Sequence, residues 1–227
     1  GLLKDYDDSL KNFQKEHNLT IFHLMGQHVN YKQRYRTKQA RFWASSYEDK
    51  RPELTNAQRK MLSHYDNATL YNDSIVAQIV KRFQKQDAIV IYVPDHGEEC
   101  YEENRGFICR NHSAEIDWPL AHYEFEIPFW IYCSPKYIRN HRDIYRQIRK
   151  AKDKRFMTDA LPHLLLYLAG IETPTYKEEY NILSPKYDEM RPRILKNSAD
   201  YDKLRDAHLE KIKKEESKKV KKKERRN

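Results

Sequence analysis

The sequence predicts an α/β domain with a largely parallel central sheet, and three observations carry the prediction. Apolar residues make up 39% of the 227-residue chain and gather into short dense runs at 19–25, 87–93 and 127–133, as buried strands do. A long amphipathic helical pattern separates the first two runs and helical segments follow the third, the strand–helix rhythm of α/β proteins. Polar residues able to hold a ligand stand directly after the first and second runs, where open α/β sheets place their sites.

Taken in order, Asp7 to Glu16 reads as a short helix leading into Leu19-Thr-Ile-Phe-His-Leu-Met25, a run of strand length ended by Gly26. The loop beyond carries Gln27, His28 and Asn30, then a basic and aromatic stretch from Tyr31 to Trp43. Pro52 and Asn56 precede a helical pattern that runs to about Lys85 and lines up Leu62, Tyr65, Thr69, Ile75, Ile79 and Phe83 on one side. Asp87 to Val93 is the clearest strand, continuous in apolar residues as a central parallel strand should be, and Pro94 stops it. Ile127 to Cys133 is a third strand, followed by a basic segment from Arg139 to Lys154. Thr158 is placed to cap an apolar helix over Asp159–Ala169, which Gly170 terminates. Beyond Glu172, three prolines break the chain into extended pieces, and a charged helix from Asp202 ends it. This divides the chain into a domain over residues 1–200 and a basic helix or tail over 201–227.

The charge balance narrows the function. Of the net +9, the stretch Lys211–Asn227 supplies +7, from ten basic residues against three acidic. The body is nearly neutral, which argues against a nucleic-acid-binding face. The tail reads as a solvated helix; its functional alternative is attraction to an anionic membrane surface, at roughly 1 kcal/mol per basic residue near the lipid. No stretch has the about 18 apolar residues of a spanning helix, and the first residues have neither the basic n-region nor the apolar h-region of a signal peptide. Cys100, Cys109 and Cys133 lack the paired spacing of a zinc site. A Cys100–Cys109 bridge and unpaired buried thiols both stay open.

Asp95 and His96, adjacent and directly after a buried strand, pair two ligand types suited to a divalent metal, with Gly97 allowing close backbone approach. His28 holds the equivalent position after the first run, and His112 lies in the polar loop after Asp95. In a parallel sheet both strand ends open on one edge, so the four residues are expected to converge in one cleft. Glu98, Glu99, Glu102 and Glu103 make the loop acidic, the last two as a solvated face. His17, His64, His122, His141, His163 and His208 are assigned to packing or surface. Such a cleft suits transfer or hydrolysis of a phosphoryl-type or sulfuryl group, with zinc as Lewis acid and outer histidines binding phosphate oxygens or protonating a leaving group.

Four ordered stretches, Phe22-His-Leu-Met-Gly-Gln-His28, Tyr65-Asp-Asn-Ala-Thr-Leu-Tyr-Asn-Asp73, Val90-Ile-Tyr-Val-Pro-Asp-His-Gly-Glu98 and Glu126-Ile-Pro-Phe129, resemble the periplasmic domain of the lipid A and core-oligosaccharide phosphoethanolamine transferases, within the sulfatase and alkaline-phosphatase superfamily. The resemblance runs from about Asp7 to Arg193. It implies an alkaline-phosphatase-like three-layer sandwich and a zinc enzyme at the periplasmic face of the bacterial inner membrane. That enzyme takes phosphoethanolamine from phosphatidylethanolamine onto a threonine and passes it to a lipid A or oligosaccharide acceptor. In the family's pattern Asp95 and His96 are zinc ligands, with His28 and His112 binding the substrate phosphate or a second zinc.

The sequence departs from that pattern in places. Val29 stands where a glycine is usual, Pro94 where a small residue is usual, and the loop from Cys100 to Asn111 replaces the commoner Ser-Leu-Gly-Glu continuation. The family's threonine nucleophile and acidic metal ligand belong upstream of Leu19, on a first strand and helix that this chain is expected to lack. None of Thr20, Thr37, Thr55 and Thr69 has the nucleophile's setting, so the expectation is a partial sulfatase-like domain, inactive alone. Two alternatives remain: a sulfatase or phosphodiesterase-type hydrolase, and a catalytically dead module binding anionic glycan or lipid.

Overall fold

A capping box starts the longest helix of the computed structural model, which describes residues 2–9, 17–111 and 115–224. The Thr55 hydroxyl accepts the Gln58 N–H at 3.3 Å while the Gln58 side chain accepts the Thr55 N–H at 2.8 Å, satisfying two amides that a helix start leaves open. Helix α2 then runs Asn56–Phe83 and ends with Lys81 and Arg82 in its last turn, where the helix dipole favours cations. Leu62 and Ile79 of the predicted stripe are buried, and Tyr65, Thr69, Ile75 and Phe83 are half-buried beside them.

The chain forms two units: residues 1–86 with 100–108, and residues 87–99 with 109–227. In the first, α1 (Leu2–Ser9) sets Tyr6 edge-on to Phe22 at 5.0 Å, and Arg82 of α2 donates twice to Asp7. The core gathers Tyr47, Leu54, Leu62, Cys100 and Tyr101, with Phe42, Tyr65 and Ile108 packed against them. Asn67, 2% exposed, ties α2 to the stretch before it. Its Oδ1 accepts the Arg41 and Phe42 N–H groups at 2.6 and 3.1 Å, and its Nδ2 donates to the Phe42 and Ser63 carbonyls at 2.8 and 2.7 Å. Beside it Asp66 accepts the Tyr47 hydroxyl. The Tyr65-Asp-Asn motif therefore acts structurally, fastening the irregular basic–aromatic segment, whose Tyr31 is buried edge-on against Tyr65 at 5.3 Å.

In the second unit, β1 (Ile89–Tyr92) pairs with β4 (Trp130–Cys133), placing Ile89 opposite Cys133 and Tyr92 opposite Trp130; these last two rings stack at 5.3 Å. Between them in sequence lie the short ladder of β2 (Glu99–Cys100) with β3 (Ile108–Cys109) and helix α3 (Trp118–Phe125), capped by Asp117, which accepts the Leu120 N–H at 3.0 Å. Ser134 caps α4 (Pro135–Asn140) through the Tyr137 N–H at 3.0 Å. Helix α5 (Arg142–Ala151) turns Ile144, Ile148 and Ala151 into a core shared with Leu164 of α6 (Leu161–Leu168) and with Ile182 and Leu183. A smaller core joins Ala121, Leu195 and Tyr201, packed by Trp118, Phe125 and Leu204. It brings in the hairpin of β5 (Ile194–Leu195) with β6 (Ala199–Asp200) and the first turns of α7 (Tyr201–Glu224). Asp202 anchors α7 by accepting from Arg193 at 2.6 Å and from Arg155.

Several expectations are corrected. The β1–β4 and β5–β6 ladders are antiparallel, so the largely parallel sheet is not what the described strands form. The residues of β1 are only half-buried, and its continuous apolar run does not signal burial on both faces. Residues 19–25 make no ladder. Phe22 and Leu24 are half-buried, while Leu19 and Ile21 are 76% and 79% exposed. Of the helix expected over Asp7–Glu16, residues 7–9 are helical and 10–16 lie outside the described residues. Thr158 opens a 3-10 turn instead of capping α6, although Gly170, at φ +64°, ends that helix as expected and Ile171 N–H bonds back to Leu166 at 3.0 Å. The prolines after Glu172 do not leave only extended pieces, since Glu178–Tyr180 is a 3-10 turn and Ile182 and Leu183 enter the core. All three cysteines are free thiols, and burial pushes that of Cys133 above its ordinary pKa.

Candidate metal centre

The chain leaves β1 through Val93 and Pro94 and turns at Asp95. Asp95 projects into solvent, whereas His96 is largely covered, and its Nε2 lies 3.6 Å from Asp95 Oδ2. His96 Nδ1 is 2.7 Å from the Gly97 carbonyl oxygen. A carbonyl only accepts, so Nδ1 carries the proton and the lone pair sits on Nε2, facing a carboxylate. A cation between two acceptors so placed would satisfy both, whereas the imidazolium form would donate from Nε2 toward the carboxylate. Zinc binds imidazole nitrogen and carboxylate oxygen at about 2.0–2.2 Å, and tetrahedral ligands at those lengths lie roughly 3.3 Å apart. The pair therefore fits a zinc ion in both donor type and spacing, and its backbone-bonded Nδ1–H is the outer contact that metal-bound histidines commonly make.

Gly97 holds this turn against α3. Its N–H donates to the Glu124 carbonyl at 2.8 Å, and a Cβ there would come under 3.0 Å from the Tyr123 carbonyl oxygen. The close approach expected of Gly97 is thus a backbone-to-backbone contact that only glycine admits. Glu124 itself is 1% exposed, and its Oε1 accepts the Asn111 N–H at 2.6 Å. Sequence reasoning missed this residue. The available signal was a charged side chain one helical turn after Leu120, on the face that Leu120 and Ala121 bury completely.

His28 lies in the first unit. It follows a turn in which Gly26 takes φ +48° and the His28 N–H bonds the Met25 carbonyl at 3.1 Å. Arg34 steadies the turn by donating to the carbonyls of His28 and Val29 at 2.8 and 2.6 Å. His28 Nδ1 donates to the Val29 carbonyl at 3.0 Å, the same use of the following carbonyl as in His96, again leaving the lone pair on Nε2. His112 lies outside the described residues. Of the four candidates, Asp95 and His96 stand together in one turn, and the ladders of β1 with β4 and of β5 with β6 are antiparallel, so neither supplies the parallel edge from which wider convergence was expected. No group of three or more potential ligands occurs among the described residues.

Five of the other histidines have local partners. His64 meets the Tyr35 hydroxyl at 2.9 Å, and burial, then Lys32 and Lys60, lower its pKa. His163 accepts the Lys177 N–H at 3.1 Å, His141 lies 3.3 Å from Asp87, and His122 and His208 stack on Trp118. Two of the threonines are engaged as well: Thr55 caps α2, and Thr69 donates to the Tyr65 carbonyl at 3.0 Å.

Residues 2–171 match the sulfatase family. The chain is similar to phosphoethanolamine transferase EptC of Escherichia coli, with 31% identity over 192 residues that cover 83% of this chain and 32% of that protein. It is also similar to the Kdo(2)-lipid A phosphoethanolamine 7''-transferase of Escherichia coli, 30% identical over 157 residues covering 68% of this chain and 26% of that one. The chain thus spans between about a quarter and a third of the length of the curated relatives it matches. Among solved structures, the zinc complex of the C-terminal periplasmic domain of Escherichia coli EptC superposes with a TM-score of 0.71 at 29% identity, over 89% of this chain and 56% of that one. The corresponding Campylobacter jejuni domain gives a TM-score of 0.62 at 22% identity, over 82% and 58% of the two chains, a likeness of fold alone.

Proposed function

The chain belongs to the sulfatase family, and from this we propose that it carries the Asp95–His96 part of the zinc site of a phosphoethanolamine transferase. The fold is that of the alkaline-phosphatase-like sandwich, the donor phosphatidylethanolamine, and the acceptor a lipid A or oligosaccharide group at the periplasmic face of the inner membrane. No helix among the described residues is long and apolar enough to cross a membrane. Residues 1–200 form the catalytic part in this proposal and 201–227 the basic tail.

The observation that carries the proposal is the lone pair of His96 Nε2 held 3.6 Å from the Asp95 carboxylate by its own Nδ1–H bond to Gly97. A bound zinc ion would supply Lewis-acid stabilisation of anionic phosphoryl oxygens and of a deprotonated hydroxyl nucleophile. Asp95 would bring negative charge to the site and His96 a neutral nitrogen, a donor pair that leaves the ion net positive and attractive to a phosphate. His28, in the tautomer its backbone bond dictates, offers a lone pair at Nε2. It suits a second cation or a proton in flight, and it would donate to a phosphate oxygen only as the imidazolium. His112 is proposed for the same outer role.

The test is a zinc titration of this chain after chelation, beside an Asp95→Ala/His96→Ala double variant. One equivalent bound, and lost in the variant, is the expected result. A chain that takes up no zinc, or a double variant that binds as the wild type does, refutes the assignment.

A further inference from the structure

Glu124 is the only carboxylate among the described residues with a buried oxygen, Oε2, that lacks a hydrogen-bond partner. It sits at 1% exposure on the apolar face of α3, next to Leu120 and Ala121. Burying a carboxylate is unfavourable even when both oxygens are satisfied, and helix packing alone would be served better by leucine or methionine. The reason for an acid at this position has to lie in what it holds.

It holds two stretches of chain. The Glu124 carbonyl accepts the Gly97 N–H at 2.8 Å, and the Glu124 carboxylate accepts the Asn111 N–H at 2.6 Å. Gly97 and Asn111 are the two feet of the loop 98–110, whose ends are tied to each other by the β2–β3 ladder and by the Tyr101 N–H on the Phe107 carbonyl at 2.8 Å, so that a hold on one foot bears on the other. Gly97 is also the residue whose carbonyl fixes the His96 ring at 2.7 Å. A single rigid helix position thereby sets where the His96 imidazole is anchored and where the chain stands immediately before His112.

We infer that Glu124 is the positioning residue of the Asp95–His96 site, its carboxylate holding the Asn111 foot, which the β2–β3 ladder ties to Gly97, and touching neither metal nor substrate. This rests on the assignment of Asp95 and His96 as a metal pair. Carboxylate reach is the essential property: the oxygen must extend from the helix to the Asn111 amide. Charge is not essential, because an amide oxygen accepts the same hydrogen bond.

Three variants separate reach from charge and from packing, read by zinc affinity in competition with a chromophoric chelator and by the melting temperature of the metal-free chain. Glu124→Gln keeps reach and loses charge, and should bind zinc close to wild-type affinity. Glu124→Asp keeps charge but withdraws the oxygen by one methylene, and Glu124→Met fills the space without an acceptor. Both should bind about 10-fold more weakly, the low end of the effect of losing a direct outer contact of a metal ligand, because the carboxylate reaches His96 through the loop, while remaining folded at the assay temperature. The inference is overturned if the Asp and Met variants bind like the wild type, or if the Gln variant is as weak as they are. Should the wild-type chain itself bind no zinc, the metal assignment has failed and this inference with it. Wild-type binding that the Asp and Met substitutions leave unchanged overturns the role of Glu124 alone.

Discussion

Replacing Gly97 with alanine tests the geometry of the candidate site without touching a proposed ligand. The added Cβ would lie under 3.0 Å from the Tyr123 carbonyl oxygen, 3.4 Å from Tyr123 C and 3.5 Å from Glu124 C, whereas ordinary contact begins at 3.4 Å. All three neighbours are backbone, so none can rotate away, and the turn must separate from α3 by at least about 0.4 Å. That separation stretches the 2.8 Å bond from Gly97 N–H to the Glu124 carbonyl past roughly 3.2 Å, where such bonds weaken. Gly97 is not in the left-handed region, so the penalty is steric and not conformational. Overpacking typically costs about 1–3 kcal/mol, and a weakened buried hydrogen bond adds about 1. Together they amount to about 2–4 kcal/mol, which for a chain of this size lowers the melting temperature by about 5–15 °C. Thermal unfolding followed by circular dichroism, with hydrogen exchange at residue 97, reads both parts. A variant that melts within about 1 °C of the wild type, its residue 97 amide still protected, would refute the steric account.

Asn67→Ala should destabilise the first unit by about 3 kcal/mol or more, because it strands the Arg41 and Phe42 amides and the Phe42 carbonyl where their partner was buried; urea unfolding measures it. The hydrogen bond from Arg193, with the charges of Arg155 and Arg205, holds the Asp202 carboxyl below its ordinary pKa of 3.8 despite the opposing effect of burial. A depressed folded-state pKa contributes stability that is fully present above the unfolded value and lost as pH falls through the folded one. The wild type should therefore melt above Asp202→Asn at neutral pH, with the gap closing as pH drops below 3.8; a gap independent of pH would contradict this. Chelation followed by zinc addition should raise the melting temperature of the wild type and leave the Asp95→Ala/His96→Ala variant unmoved, as a ligand that binds only the folded state requires.

Local signals were the legible ones. Thr55 and Gln58 announce the start of α2 three residues apart, the apolar spacing of Leu62 and Ile79 fixes its buried side, and Gly170 marks the end of α6. The adjacency of Asp95, His96 and Gly97 after an apolar strand was equally visible, since one short segment contains the ligand pair, the carbonyl that orients it and the glycine that lets it approach α3. What could not be read depends on partners distant in sequence. An apolar tetrapeptide such as Ile89–Tyr92 looks the same whether its neighbour runs parallel or antiparallel. Asn67 shows its purpose only when residues 41 and 42 come to it. Glu124 reads as a surface charge until Asn111 is brought within 2.6 Å of it. The run at 19–25 misled because apolar content stood in for burial, and five of its seven residues are exposed.

That run also bears on how the protein behaves in a tube. Leu19 and Ile21, with Met25 at 59% exposure, put apolar side chains into solvent along a stretch that makes no ladder, and exposed apolar side chains beside unpaired backbone are adhesive. At the concentrations used for calorimetry or crystallisation, self-association through this stretch is the expected outcome, and sedimentation velocity of the wild type beside Ile21→Lys checks it; equal association of the two would refute it. Placing one lysine there, at Ile21, is the smallest change that would keep them apart, because a charge on the exposed side spoils edge pairing and leaves Phe22 and Leu24 in their packing.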